Sequence, residues 1–184
     1  MEMINTWYGD IEQALLKKFQ QVRLLVLDVD GVFSDGRIYL GNDGEELKAF
    51  HTRDGFGMKA LVNAGFTTAV ITGRQSAIVE RRMKHLDVGH IFQGQSDKTV
   101  AYQQLLEQLD VTPEQVAYIG DDVPDLALIQ RSGLGIAVHD AHPAVQQGAD
   151  YITRCAGGHG AVREVCDLLL LASGQLRSAE GISL

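Results

Sequence analysis

Four short stretches of this sequence carry residues whose types and spacing fit phosphate and metal chemistry. Asp28-Val29-Asp30-Gly31 sets two carboxylates one residue apart, directly after an apolar run. In extended backbone such residues point to the same side, and like charges that close imply a cation or a shared proton. Gly31 lets the backbone approach a ligand. Thr72-Gly73-Arg74 offers a hydroxyl, a glycine and a cation after a second apolar run. Thr72 and the backbone N–H groups beside it can hold a phosphate oxygen, although an ordinary helix N-cap accounts for Thr72 equally well. Lys98 opens a helical stretch, against the preference of a helix start for negative charge. That position points to an anion nearby, with an exposed lysine as the alternative. Asp121, Asp122 and Asp125 follow a third apolar run within five residues of one another. Such a set suits a hard divalent cation with oxygen ligands, magnesium rather than zinc; a capped turn is the plainer reading.

The elements that must position these residues follow from the hydrophobic pattern. Short continuous apolar runs over 24–27, 68–71, 116–119 and 135–138, with a weaker one over 90–92, read as strands covered on both faces. Helical stretches are expected over 58–64, 76–86, 98–109, 125–131 and 160–173, and an amphipathic helix over 4–21. Thr112-Pro113-Glu114-Gln115 reads as an N-cap with proline at the first position. Strand alternating with helix means a parallel sheet with helices on both faces. The stretch 37–50 breaks the rhythm, alternating about Asn42-Asp43-Gly44, and predicts an inserted β-hairpin. No repeat or linker divides the chain, so 1–184 is expected to be one domain with a loose tail over 174–184. All four chemical stretches fall at or near strand C-termini, where ligands of open α/β sheets bind.

Composition narrows the classes. The chain has 184 residues and a formal charge of −8, which argues against a general nucleic-acid or acidic-membrane binder. Cys155 and Cys166 are too few and too poorly spaced for a disulfide scaffold or zinc cluster, as expected of reduced thiols in the cytoplasm. Residues 168–172 form the longest apolar run, far short of a membrane span. The six histidines lack metal-ligand spacing, with His51 and His159 the ones placed in candidate loops near a site.

In order and spacing, Asp28-x-Asp30-Gly31, Thr72-Gly73-Arg74, Lys98 and Gly120-Asp121-Asp122-x-x-Asp125 together resemble the haloacid dehalogenase superfamily of phosphotransferases. The resemblance implies a Rossmann-like fold and a magnesium-dependent phosphatase. Asp28 would attack phosphorus, and Asp30 would protonate the leaving oxygen and then activate water. Magnesium would be held by Asp28, the Asp30 carbonyl and Asp121. Thr72 and Lys98 would grip phosphoryl oxygens, with Asp122 and Asp125 orienting Lys98 and metal-bound water. The stretches 28–36, 50–55 and 157–164 narrow the resemblance to members acting on a small phosphorylated sugar acid of eight or nine carbons. A phosphoacceptor signalling module of the receiver type combines similar residues, but there the acidic pair precedes the nucleophile, whereas here Asp28 precedes Asp121 and Asp122.

The intervals from Asp28 to Thr72 and from Thr72 to Lys98 are too short for the cap domain many members carry. The resemblance points to a homotetramer whose hairpins form a central barrel and whose segment 157–164 completes a neighbour's site. Gly31, Gly73, Arg53, Arg74 and Arg163 are the candidate substrate contacts, guanidinium suiting bidentate recognition of carboxylate or phosphate.

Overall fold

The computed structural model describes residues 2–176. The tail expected over 174–184 therefore lies, from residue 177 on, outside the described residues. At the other end, the helix expected over 4–21 is only half helix. Strand β1 (Met3–Thr6) turns back into β2 (Gly9–Glu12), and α1 runs only from Gln13–Gln21. The pattern is ambiguous for a physical reason. Ile4 and Ile11 lie two helical turns apart, but they are also direct partners across an antiparallel pair, which is how the chain uses them. Turn chemistry decides the outcome: the Thr6 hydroxyl donates to the Gly9 carbonyl at 2.6 Å and the Asn5 amide to Asp10 at 2.8 Å. Short polar side chains that bond locally compete with helix in this way.

After β3 (Leu24–Leu27) comes the inserted hairpin, with short paired segments β4 (Tyr39–Leu40) and β5 (Glu46–Leu47). The chain continues through α2 (Thr52–Asn63), β6 (Thr67–Ile71), α3 (Ala77–His85), β7 (His90–Phe92) and α4 (Lys98–Leu109). It ends with β8 (Val116–Gly120), α5 (Leu126–Arg131), β9 (Leu134–Ala137), α6 (Pro143–Gly148), β10 (Tyr151–Ile152) and α7 (Ala161–Ala172). Six strands form one parallel sheet in the order β10-β9-β8-β3-β6-β7. Every residue of β3 is buried, as a central strand flanked on both faces requires. Helices α1 and α2 pack on α7, while α4 and α6 pack on α5. This is the expected α/β architecture.

Three differences from the sequence reading have local causes. Helix α2 begins six residues early because the His51 ring accepts the Arg53 N–H at 3.1 Å and caps it. Helix α6 and strand β10 were not expected; both are short, and α6 starts at Pro143 with the His142 ring accepting the Ala144 N–H. The Thr112 turn forms a single 3₁₀ turn leading into β8, with the Gln115 side chain accepting the Thr112 N–H at 3.1 Å.

The chain order reverses at β3, with β6 on one side and β8 on the other. That switch point is where the crevice of an open sheet forms. Asp28, Thr72 and Asp121 each stand immediately after one of these three strands.

Candidate active site

The strand ends converge. Asp28, Asp30, Thr72, Gly73, Arg74, Lys98, Asp121, Asp122 and Asp125 line a single crevice of 320 Å³. Gln95, Ser96 and Pro124 complete it; the first two lie in the polar loop between β7 and Lys98, where no motif marks them. At its floor the Lys98 ammonium, almost fully buried, bridges Asp28 Oδ2 at 2.8 Å and Asp125 Oδ1 at 2.7 Å. Burial alone would lower the Lys98 pKa, but the two carboxylates outweigh it and leave it raised. The anion that its position at the helix start implied is thus a pair of side chains of its own chain.

Asp125 is saturated. Its Oδ1 accepts from Lys98 and from the Tyr118 hydroxyl at 2.7 Å, and its Oδ2 from the N–H groups of Asp121 at 3.1 Å and Asp122 at 3.3 Å. With four donors on two oxygens it has little left for a cation. Asp28 is different: one oxygen takes the Val29 N–H at 2.7 Å and the other takes Lys98, leaving lone pairs on both. Oxygens of Asp28, Asp121 and Asp125 lie within 4.8 Å of one another. Burial first, then Asp125, pushes the Asp28 pKa up to about 6 against the pull of Lys98. Burial, Asp125 and Asp28 push that of Asp121 up to about 8. Negative charge is therefore undercompensated between these two groups, and an all-oxygen donor set of this kind suits a hard divalent cation.

Gly31 makes the convergence possible. It sits at φ +90°, and a Cβ there would stand 2.0 Å from Asp121 Oδ2. The hairpin also reaches the site. Lys48, its side chain fully buried, hydrogen-bonds Asp30 Oδ1, and Glu46 accepts from the Ser76 hydroxyl at 2.7 Å. Arg74 stands 3.9 Å from Asp30 Oδ2 and 3.7 Å from Glu46. Nothing in the alternating pattern of the hairpin marked Lys48 and Glu46 as different from its surface residues.

Two expected substrate contacts lie elsewhere. Arg163 holds Asp167 at 2.8 Å and stands 4.7 Å over the Phe56 ring, and the Arg53 guanidinium stands 3.4 Å from the His51 ring. Neither arginine lines the crevice. The segment 157–164 packs on its own chain: a Cβ on Gly157 would meet the Gly31 carbonyl at 1.7 Å, and Asp54 accepts the N–H groups of Gly160 and Arg163. His51 caps α2, and the His159 ring bonds the Gly157 carbonyl at 2.8 Å.

The model of one family, haloacid dehalogenase-like hydrolase, matches residues 72–165. The chain belongs to that family. This hydrolase is 52% identical over 181 residues to the 3-deoxy-D-manno-octulosonate 8-phosphate phosphatase of Escherichia coli K12, covering 98% of this chain and 96% of that one. The crystal structure of the phosphatase of that name from Yersinia pestis superposes with a TM-score of 0.96 at 51% identity, covering 100% of this chain and 99% of that one. That of the Moraxella catarrhalis phosphatase, in complex with magnesium ion, phosphate ion and Kdo, superposes with a TM-score of 0.89 at 43% identity, covering 91% and 97%. Among the described residues, no helix of the hydrolase is long and apolar enough to cross a membrane. Its two cysteines are free.

Proposed function

We propose that this hydrolase is a magnesium-dependent phosphatase that converts 3-deoxy-D-manno-octulosonate 8-phosphate to Kdo and phosphate in the cytoplasm, for lipopolysaccharide synthesis, and that a single α/β unit carries the activity. The observation that carries the reading is the convergence of Asp28, Thr72, Lys98 and Asp121 in one crevice. Near-complete coverage of relatives named for that substrate supports it, as does a relative's complex with magnesium, phosphate and Kdo.

The chain's residues divide the work. A lone pair of Asp28 forms a bond to phosphorus as the ester P–O bond breaks, and Asp30 gives its proton to the departing sugar oxygen. The resulting aspartyl-phosphate is opened by water, which delivers its proton to Asp30; free sugar acid, phosphate and the starting enzyme result. Acid–base help of this kind contributes about 10²–10⁴ in rate. Lys98 and the Thr72 hydroxyl hold phosphoryl oxygens, with the backbone at Gly31 and Gly73 beside them. Asp125, filled by its four donors, orients Lys98 and the loop carrying Asp121. Asp122 caps that loop, accepting the Val123 N–H at 2.8 Å. Magnesium, held by Asp28, Asp121 and the Asp30 carbonyl, supplies the positive charge that lets a carboxylate approach an anionic phosphoryl group. Arg74, half-exposed and only loosely paired, is free to take up the substrate's carboxylate. Arg53 and Arg163 would meet substrate only in an assembly that brings them to a neighbour's crevice.

The test is phosphate release from eight- and nine-carbon sugar-acid phosphates with and without magnesium. Turnover should require magnesium, favour the eight-carbon ester and vanish in Asp28→Asn. Undiminished activity in that variant would sink the assignment, and preference for the nine-carbon ester would move it to a related sugar acid.

A further inference from the structure

The hairpin brings to Asp30, which lines the crevice, a cation that no step above uses. The Lys48 side chain is fully buried although its neighbours on either side, Leu47 and Ala49, are exposed. A buried ammonium persists only where it is paired, and its partner is Asp30 Oδ1, with Glu46 at 3.8 Å. Asp30, Lys48, Glu46 and Arg74 form a ring of alternating charge, anchored by the bond from Ser76 to Glu46. The ring joins the loop after β3, the hairpin and the loop after β6.

Its two cations are held unequally. Lys48 is buried and in direct hydrogen-bond contact, whereas Arg74 is half-exposed with separations of 3.7 and 3.9 Å. The two oxygens of Asp30 differ in the same way: Oδ1 is pinned by Lys48, while Oδ2 is buried and accepts no hydrogen bond. A carboxyl that must hand a proton to one particular ester oxygen benefits from this arrangement, with one oxygen fixed by a hydrogen bond and the other, beside Arg74, accepting none.

We propose that Lys48 is a positioning residue for the reaction: it locks the carboxyl of Asp30 so that Oδ2 faces the departing sugar oxygen. The inference rests on the phosphatase reading and adds the hairpin to its machinery. It predicts which esters suffer when the lock is removed. A sugar alkoxide is a poor leaving group and needs protonation, whereas p-nitrophenolate leaves without it. Losing the position of Asp30 therefore penalises phosphoryl transfer from the sugar phosphate, read as kcat/KM, and largely spares that transfer from p-nitrophenyl phosphate, while the water step that follows is common to both esters.

The experiment compares wild type, Lys48→Met, Lys48→Arg, Asp30→Asn and the Lys48→Met/Asp30→Asn double variant on Kdo 8-phosphate and p-nitrophenyl phosphate. Lys48→Met should lower kcat/KM on the sugar phosphate by about 10- to 100-fold, the scale of a misplaced reacting group. Magnesium affinity, read by calorimetry, should stay near wild type, and the loss of kcat/KM on p-nitrophenyl phosphate should be far smaller. Lys48→Arg should recover most of the rate, and Lys48→Met should add nothing to Asp30→Asn. Lys48→Gln carries the same comparison if Lys48→Met does not fold. Equal losses of kcat/KM on both esters, additivity with Asp30→Asn, or an unchanged rate would each overturn the role of Lys48. Activity surviving in Asp28→Asn would instead overturn the phosphatase reading, so the two failures are distinguishable.

Discussion

At the scale of single residues, the site depends on side chains packed more tightly than their sequence neighbours reveal. Asp121 can lie against the loop after β3 only because residue 31 lacks a side chain. Gly31→Ala would put a Cβ 2.0 Å from Asp121 Oδ2 and force alanine to φ +90°. Both penalties fall on the loop that joins Asp28 to Asp121, and positive φ alone costs about 1–3 kcal/mol outside glycine. We expect Gly31→Ala to keep the sheet, by circular dichroism, while magnesium affinity and turnover fall by at least about tenfold. Native affinity and rate in that variant would mean that the contact between Gly31 and Asp121 does not matter. Asp28, Thr72 and Asp121 were legible in the sequence because each follows a buried run, where type and place together are informative, and Lys98 because a cation opening a helix is out of place. Lys48 and Glu46 were not, because their importance comes from where a hairpin folds back, which alternation does not encode. Tyr118 was hidden for the opposite reason: its hydroxyl serves Asp125 from inside an apolar run.

At the scale of elements, strands covered on both faces were readable nearly to the residue, whereas the first 21 residues were not. A pair of apolar residues seven apart satisfies both helix and hairpin, and only turn bonds separate the two. Segment 157–164 is tied to Gly31 and Asp54 of its own chain, and its reach to a neighbour's site depends on the assembly. The hairpin groups exposed apolar side chains: Tyr39 is 53%, Leu40 74% and Leu47 65% exposed. Apolar side chains grouped on a projecting element are the mark of a contact surface. We propose that hairpins of several copies bury them against one another, as in the expected homotetramer. Sedimentation should give an oligomer for wild type and a monomer for Leu40→Asp/Leu47→Asp, with reduced turnover of the sugar phosphate. A monomeric wild type of full activity would remove any need for neighbours.

At the scale of the whole molecule, an excess of negative charge is concentrated where a dication would neutralise it, and this couples stability to pH and to metal. Asp28 and Asp121 titrate in the metal-free fold near 6 and 8, above the roughly 3.9 of an unfolded aspartate. A carboxyl raised by folding contributes stability that is complete below its unfolded pKa and lost as pH climbs through its folded one. The metal-free protein should therefore weaken between about pH 4 and 8 on account of this pair. A cation requires the same two groups ionised and expels their protons on binding. Its contribution must then grow across the interval in which the bare fold declines. At pH 8.5, magnesium at about 100 times its Kd should add ~2.7 kcal/mol, or roughly 5–10 °C in Tm for a chain of this length. At pH 5 the same concentration should add little. Asp28→Asn removes one of the repelling charges, so that variant should melt higher than wild type in chelator at pH 8.5 and gain less from magnesium. Thermal scans in chelator and in magnesium across this range read all of these at once. A magnesium shift of the same size at pH 5 and pH 8.5 would mean that the ion binds somewhere other than between Asp28 and Asp121.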